Sequence, residues 1–153
     1  MNLTAEQAWN VCGYVRLSRE DGDKDESNSV TGQKDLIRDY LSRHPELREC
    51  GMKVDDGYTG SNFDRPAFQE MMAEVKAGKV NCIVVKDLSR FGRDHLGVGE
   101  YIEKIFPFMG VRFIAINDNY DSLHSNVESD ELIIPFKNLI NEAYCRDTSI
   151  KIR

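Results

Sequence analysis

The chain has 153 residues, 41% of them apolar and 30% charged, enough for one domain with a proper core and too few for two. No apolar run is long enough to span a membrane, and Met1 to Asn10 lacks the basic start and apolar middle of a secretion signal. The formal net charge of −6 argues against a broad nucleic-acid-binding face, so any contact with DNA must come from a clustered subset of the 20 Lys and Arg residues.

Strand and helix signals alternate along the chain. Val11 to Leu17 (VCGYVRL) reads as a first strand, apolar enough to be buried on both faces. Arg19 to Asn28 is polar and acidic and reads as a solvated loop. A helix is predicted from about Ser29, with Leu36, Ile37, Tyr40 and Leu41 on one stripe and Pro45 at or beyond its end. A second strand, weak by composition, falls near Gly51 to Tyr58, with Asp55-Asp56-Gly57 read as its exit turn. After the small polar loop Thr59 to Asn62, a helix runs from Pro66 to Lys76. Pro66 suits its first turn, Phe68, Met71, Met72 and Val75 have helical spacing, and Gly78 closes it.

Cys82 to Val85 (CIVV) is a short apolar third strand. A helix is predicted over Asp94 to Met109, with Tyr101, Ile102, Ile105, Phe106 and Met109 on one side and Pro107 loosening its last turn. Val111 to Ile116 (VRFIAI) reads as a fourth strand, and Asn117 to Ser129 as polar loop. Glu131 to Arg153 reads as one helix, its stripe formed by Leu132, Phe136, Leu139, Ile140, Ala143 and Tyr144. That helix reaches the last residue with no capping signal, so the chain reads as a fragment cut within or just after a helix that continues. The alternation predicts an α/β fold with a mostly parallel sheet, whose active residues gather beyond the carboxyl ends of the strands.

Those strand exits carry the informative residues. Tyr14, Arg16 and Ser18 alternate onto one face, which sets Arg16 and Ser18 side by side near the sheet edge. The second strand leads to Asp64-Arg65, and the third into Lys86-Asp87-Leu88-Ser89-Arg90-Phe91-Gly92-Arg93. On a helical turn Arg90 and Arg93 would face the same way. Guanidinium groups donate paired hydrogen bonds to phosphate oxygens and stabilise the charge of a five-coordinate transition state. A serine hydroxyl beside them can attack the phosphorus and form a phosphoserine ester. His95, the nearest histidine in sequence, is not placed as an obvious base, and no dense carboxylate set appears where a two-metal nuclease would need one. The cysteines at 12, 50, 82 and 145 form no CxxC pair. The expectation is phosphoryl transfer without a metal or other cofactor. Singly, each residue has a bland reading: serine as a turn or cap, arginine as a solvated cation, Asp64-Arg65-Pro66 as a helix start.

Taken together, the motifs resemble a known family. YVRLS at 14–18, Gln33 on the first helix, YTGSNFDRP at 58–66 and DLSRFGRD at 87–94 are similar in order and spacing to the serine site-specific recombinases of the resolvase/invertase superfamily. The DLSRFGRD form and the insertion after Ser18 resemble the large serine recombinases of conjugative and mobilisable transposons. The resemblance covers about Val11 to Arg153. It implies a resolvase-like three-layer fold, with a central, mostly parallel sheet of four or five strands flanked by helices. A catalytic domain over residues 1–130 would be followed at 131–153 by the start of a long oligomerisation helix. The resemblance further implies that Ser18 is the nucleophile forming a 5′-phosphoserine link. Arg16, Arg65, Arg90 and Arg93 would bind the DNA phosphate and act in catalysis, with Gln33 as a further phosphate-site residue. The implied partners are double-stranded DNA and copies of the protein, from homodimer to homotetramer, in the bacterial cytoplasm at the nucleoid. One departure stands out: Ser89 precedes Arg90 where many small resolvases carry aspartate, and the acidic residue here is Asp87.

Two other readings compete. A receiver-like module would need clustered carboxylates at the strand ends, and a flavodoxin-like one a phosphate loop where Arg19 to Asp25 is instead acidic. A recombinase relative that only binds DNA would have had little reason to keep Ser18.

Overall fold

Residues 9–17 form the strand on which the rest of the molecule is built. The computed structural model describes residues 8–17, 29–57, 63–92 and 95–125. β1 (Trp9–Leu17) is buried without a break from Val11 to Arg16, because parallel neighbours flank it and both its faces are covered. One neighbour is β2 (Leu47–Asp56) and the other β3 (Cys82–Val85). β4 (Arg112–Ala115) lies beyond β3, and β5 (Tyr120–Asp121) closes that edge antiparallel to it. The order β2-β1-β3-β4-β5 gives a five-stranded, mostly parallel sheet, within the four or five strands that the resemblance implies.

The period-two rule sorts β1 cleanly. Val11 and Val15 face α1 (Val30–Ser42), where they meet Ile37 and Leu41. Cys12 and Tyr14 face the opposite layer, built by α2 (Pro66–Lys76) and the later helices. α1 starts where expected, and Ser29 caps it, its hydroxyl accepting from Gly32 N at 3.0 Å. α2 has the predicted bounds and buries Phe68, Met71, Met72 and Val75.

Three predictions are corrected. β2 begins at Leu47, not Gly51, and carries Asp55 and Asp56 within the strand, paired with Arg16 and Leu17. Its polar composition misleads because it is an edge strand, buried only at Leu47 and Asp55. The helix predicted over Asp94 to Met109 is split into α4 (His95–Glu100), a π-helical turn at Tyr101–Ile105 and α5 (Phe106–Met109). The Phe106 amide reaches back to the Tyr101 carbonyl, and the wide turn sits just before Pro107, which has no N–H to close the next α-turn. Finally, β5 lies in the stretch read as loop.

Side chains make β5. Asp121 binds the buried Arg112 in a fork, with Nε to Oδ1 at 3.0 Å and Nη2 to Oδ2 at 2.6 Å. Glu46 approaches Arg112 Nη1 at 3.7 Å, and the Trp9 ring lies 5.6 Å from the guanidinium. α6 (Ser122–Ser125) follows, and the Ser122 hydroxyl accepts from Phe113 N at 2.9 Å. No helix among the described residues is long and apolar enough to cross a membrane. The loops expected at Arg19–Asn28 and Thr59–Asn62, and the helix expected at Glu131–Arg153, lie outside the described residues.

Candidate active site

The chain leaves β1 for β2 on one side and returns to β3 on the other, so the carboxyl ends of β1 and β3 are the switch point of the sheet. Arg16 is the penultimate residue of β1 and is completely buried there. Its guanidinium donates to two successive carbonyls, from Nε to Arg90 O at 3.2 Å and from Nη2 to Ser89 O at 2.7 Å. Its own carbonyl accepts from Gln33 Nε2 at 3.0 Å and from Arg90 Nη1 at 2.9 Å. Arg16, Gln33 and Arg90 are therefore one hydrogen-bonded unit, and all three are buried.

Arg90 stands on α3 (Leu88–Phe91), a single turn directly after β3. Asp87 caps it: Oδ1 accepts from Arg90 N at 3.2 Å and from the Ser89 hydroxyl at 2.5 Å. The same oxygen lies 3.9 Å from Arg90 Nε, so Asp87 supplies the carboxylate beside this arginine even though Ser89 is its neighbour in sequence.

Arg65 joins the same turn from the other side. Its Nη2 donates to Phe91 O at 2.8 Å, and its Nη1 to the Tyr14 hydroxyl at 2.9 Å. The rings of Phe63, Phe68 and Tyr14 surround it, 4.9 to 5.6 Å from the guanidinium. Tyr14 in turn donates its hydroxyl hydrogen bond to Asp55 Oδ2 at 2.7 Å. Burial raises the Tyr14 pKa, with the Arg65 charge opposing and the Asp55 carboxylate adding, so the hydroxyl stays protonated and can donate. Asp55 also accepts from Ala67 N at 2.9 Å and Phe68 N at 3.0 Å. These are orphan amides at the start of α2. Arg65 occupies the N-cap position and has no acceptor to offer, so a carboxylate from β2 does the capping.

Asp55 and Asp118 were not foreseen as part of this arrangement. An arginine immediately before the Pro66 helix start was the available signal for Asp55, because it demands an acceptor from elsewhere. Asp118 Oδ2 accepts from Leu88 N at 2.7 Å, across a sequence separation that no local pattern reveals.

A sequence model of the family described as "Resolvase, N terminal domain" matches residues 11–153. The chain belongs to the resolvase family. As a resolvase-family domain it stands with the serine recombinases, whose activity class is DNA site-specific recombination. Its fold is similar to that of the N-terminal catalytic domain of TP901-1 integrase, with a TM-score of 0.70 at 21% identity over 91% of this chain and 98% of that one. It is also similar to a resolvase family site-specific recombinase from Streptococcus pneumoniae, with a TM-score of 0.60 at 24% identity over 94% and 91% of the two chains. The C-terminal catalytic domain of ISC1926 TnpA, an IS607-like serine recombinase, gives 0.57 at 22% identity over 69% of each chain.

Of the resolvase-site residues expected from sequence, Arg16, Gln33, Arg65 and Arg90 meet around α3. Ser18 and Arg93 lie outside the described residues. α3 ends at Phe91, and Gly92 is extended. Gly92 is needed for space: a Cβ there would stand 2.9 Å from Phe63 Cζ and 3.0 Å from Val98 Cγ2.

Proposed function

We propose that this resolvase-family domain cuts and rejoins double-stranded DNA through Ser18. The Ser18 oxygen attacks a backbone phosphorus, forms a 5′-phosphoserine ester and releases a 3′-hydroxyl. The serine proton leaves to a base, and religation reverses the step after strand exchange. Arg16, Arg65, Arg90 and Arg93 supply positive charge to the phosphate, and Gln33 acts with them. The observation that carries the reading is the cluster at the β1 exit. Arg16, two residues before Ser18, is locked to both Gln33 and Arg90 at the switch point of a resolvase-family fold. The protein works as a homodimer to homotetramer on its recombination sites in the bacterial cytoplasm, at the nucleoid. Residues 1–130 form the catalytic domain, and 131–153 begin a long oligomerisation helix.

The test uses the protein in its full natural length with duplex fragments tiling the DNA that flanks its gene. A covalent protein–DNA adduct at a 5′ end, seen on a denaturing gel and absent from Ser18→Ala, is the expected result. An adduct that persists in Ser18→Ala moves the nucleophile elsewhere. DNA binding without an adduct in either protein favours a binding role.

A further inference from the structure

Both polar ends of α3 are occupied. At its start two carboxylates take amides: Asp87 Oδ1 accepts from Arg90 N, and Asp118 Oδ2 from Leu88 N. At its far end the carbonyls of Ser89, Arg90 and Phe91 receive the guanidinium groups of Arg16 and Arg65. Anions thus sit at the amide end of the turn and cations at its carbonyl end, the arrangement that peptide dipoles favour.

A four-residue helix has almost no stability of its own. Where its carbonyls stand depends on what grips its first turn. Asp87 belongs to the turn itself and moves with it. Asp118 is delivered from another strand. It ends the 3₁₀ turn Ile116–Asp118 that follows β4, which Asn119 closes in a left-handed conformation at φ 56°. A second bond fixes the same junction, Asn117 N to Lys86 O at 2.8 Å. The β4 exit is therefore tied to the β3 exit by two bonds, and one of them ends on α3.

We propose that Asp118 is a positioning residue for the arginine cluster. It anchors α3 to the sheet, and through the α3 carbonyls it sets Arg16 and Arg65, while Arg90 rides on the turn. Its effect on catalysis rests on the recombinase reading; its effect on arginine placement does not.

Two readouts separate these. The first is hydrogen exchange of the Arg16 Nε–H in the isolated chain, followed by nitrogen-15 NMR, with the buried Val15 amide of β1 as a control for global opening. Asp118→Ala removes the acceptor and is expected to speed Arg16 Nε–H exchange about tenfold, the scale of one lost helix cap, with the Val15 amide unchanged. Asp118→Asn keeps a carbonyl oxygen and restores protection. If the alanine variant does not fold, Asp118→Glu, which displaces the oxygens by one methylene, carries the same expectation. Unchanged Arg16 exchange overturns the proposal.

The second readout is the single-turnover rate of adduct formation by the full-length protein on the flanking duplexes. Asp118→Ala is expected to slow it about tenfold at unchanged DNA affinity, with Asp118→Asn close to the parent. Equal rates for parent and alanine variant overturn the positioning role. An adduct persisting in Ser18→Ala overturns the recombinase chemistry instead, and the exchange result still decides the linkage.

Discussion

Tyr14 shows how a single side chain couples charge, burial and fold. Its hydroxyl hydrogen goes to Asp55, and its oxygen accepts from Arg65. Tyr14→Phe removes both bonds at once and strips a buried guanidinium of one partner. Unfolding in urea is expected to show a loss of about 1–3 kcal/mol, more than one exposed hydrogen bond is worth. Alkaline titration gives a second check. An unfolded tyrosine ionises near its ordinary value of 10.0, whereas burial holds Tyr14 above it. The folded state therefore keeps a proton that the unfolded state has lost. The Tyr14 contribution to stability is complete below pH 10 and is lost as pH rises toward the folded value. Burial also raises Tyr40 and Tyr101, so phenolate absorbance should show a late-ionising class of tyrosines whose amplitude falls by one residue in Tyr14→Phe. Early titration of all tyrosines in the folded chain would contradict the buried network.

Among the elements, α5 gives the sharpest local prediction. Gly110 ends it at φ 73° and ψ 29°, in the left-handed region, and its amide reaches back to Phe106 and Pro107. Gly110→Ala introduces no steric clash, since nothing lies within 4 Å of the added Cβ. The cost is backbone strain alone, about 1 kcal/mol by denaturant unfolding. Elements with a strong local signature were legible in the sequence. α2 shows Pro66 at its first turn and an unbroken apolar stripe, and β3 is CIVV between polar flanks. Elements defined by distant partners were not. β2 is polar because one side of the strand is a sheet edge, and β5 exists because Asp121 meets Arg112. The π-helical turn was half legible: Pro107 announced a disturbance without saying where the helix would widen. The site divides in the same way. Motif and alternation pointed to Arg16, Gln33, Arg65 and Arg90, which meet around α3, whereas Asp55 and Asp118 act on amides far along the chain.

At the scale of the whole molecule, the two faces of the sheet differ. The face under α2 to α5 holds interlocked aromatic rings, with Phe91 contacting Phe63, Phe68, Tyr101, Phe106 and Phe113. The other is aliphatic and packs on α1. Aromatic packing thus backs the face from which Tyr14, Arg65 and α3 build the site. The sheet also has two ends, and each is shielded differently. Along β2 the outer edge carries Arg48, Glu49, Lys53 and Asp56, and a register shift interrupts its ladder opposite Val11 and Cys12. At β4 the shield among the described residues is the two residues of β5 and the Ser122 hydroxyl, held by the Arg112–Asp121 fork. Asp121→Ala leaves Arg112 buried without that fork and is expected to cost about 3 kcal/mol. It should also turn heat unfolding from a clear solution into a turbid one, measured by light scattering, because β4 would offer open backbone groups to any passing strand. A two-residue strand that adds almost nothing to the core is in this sense a guard against polymerisation, held in place by one carboxylate.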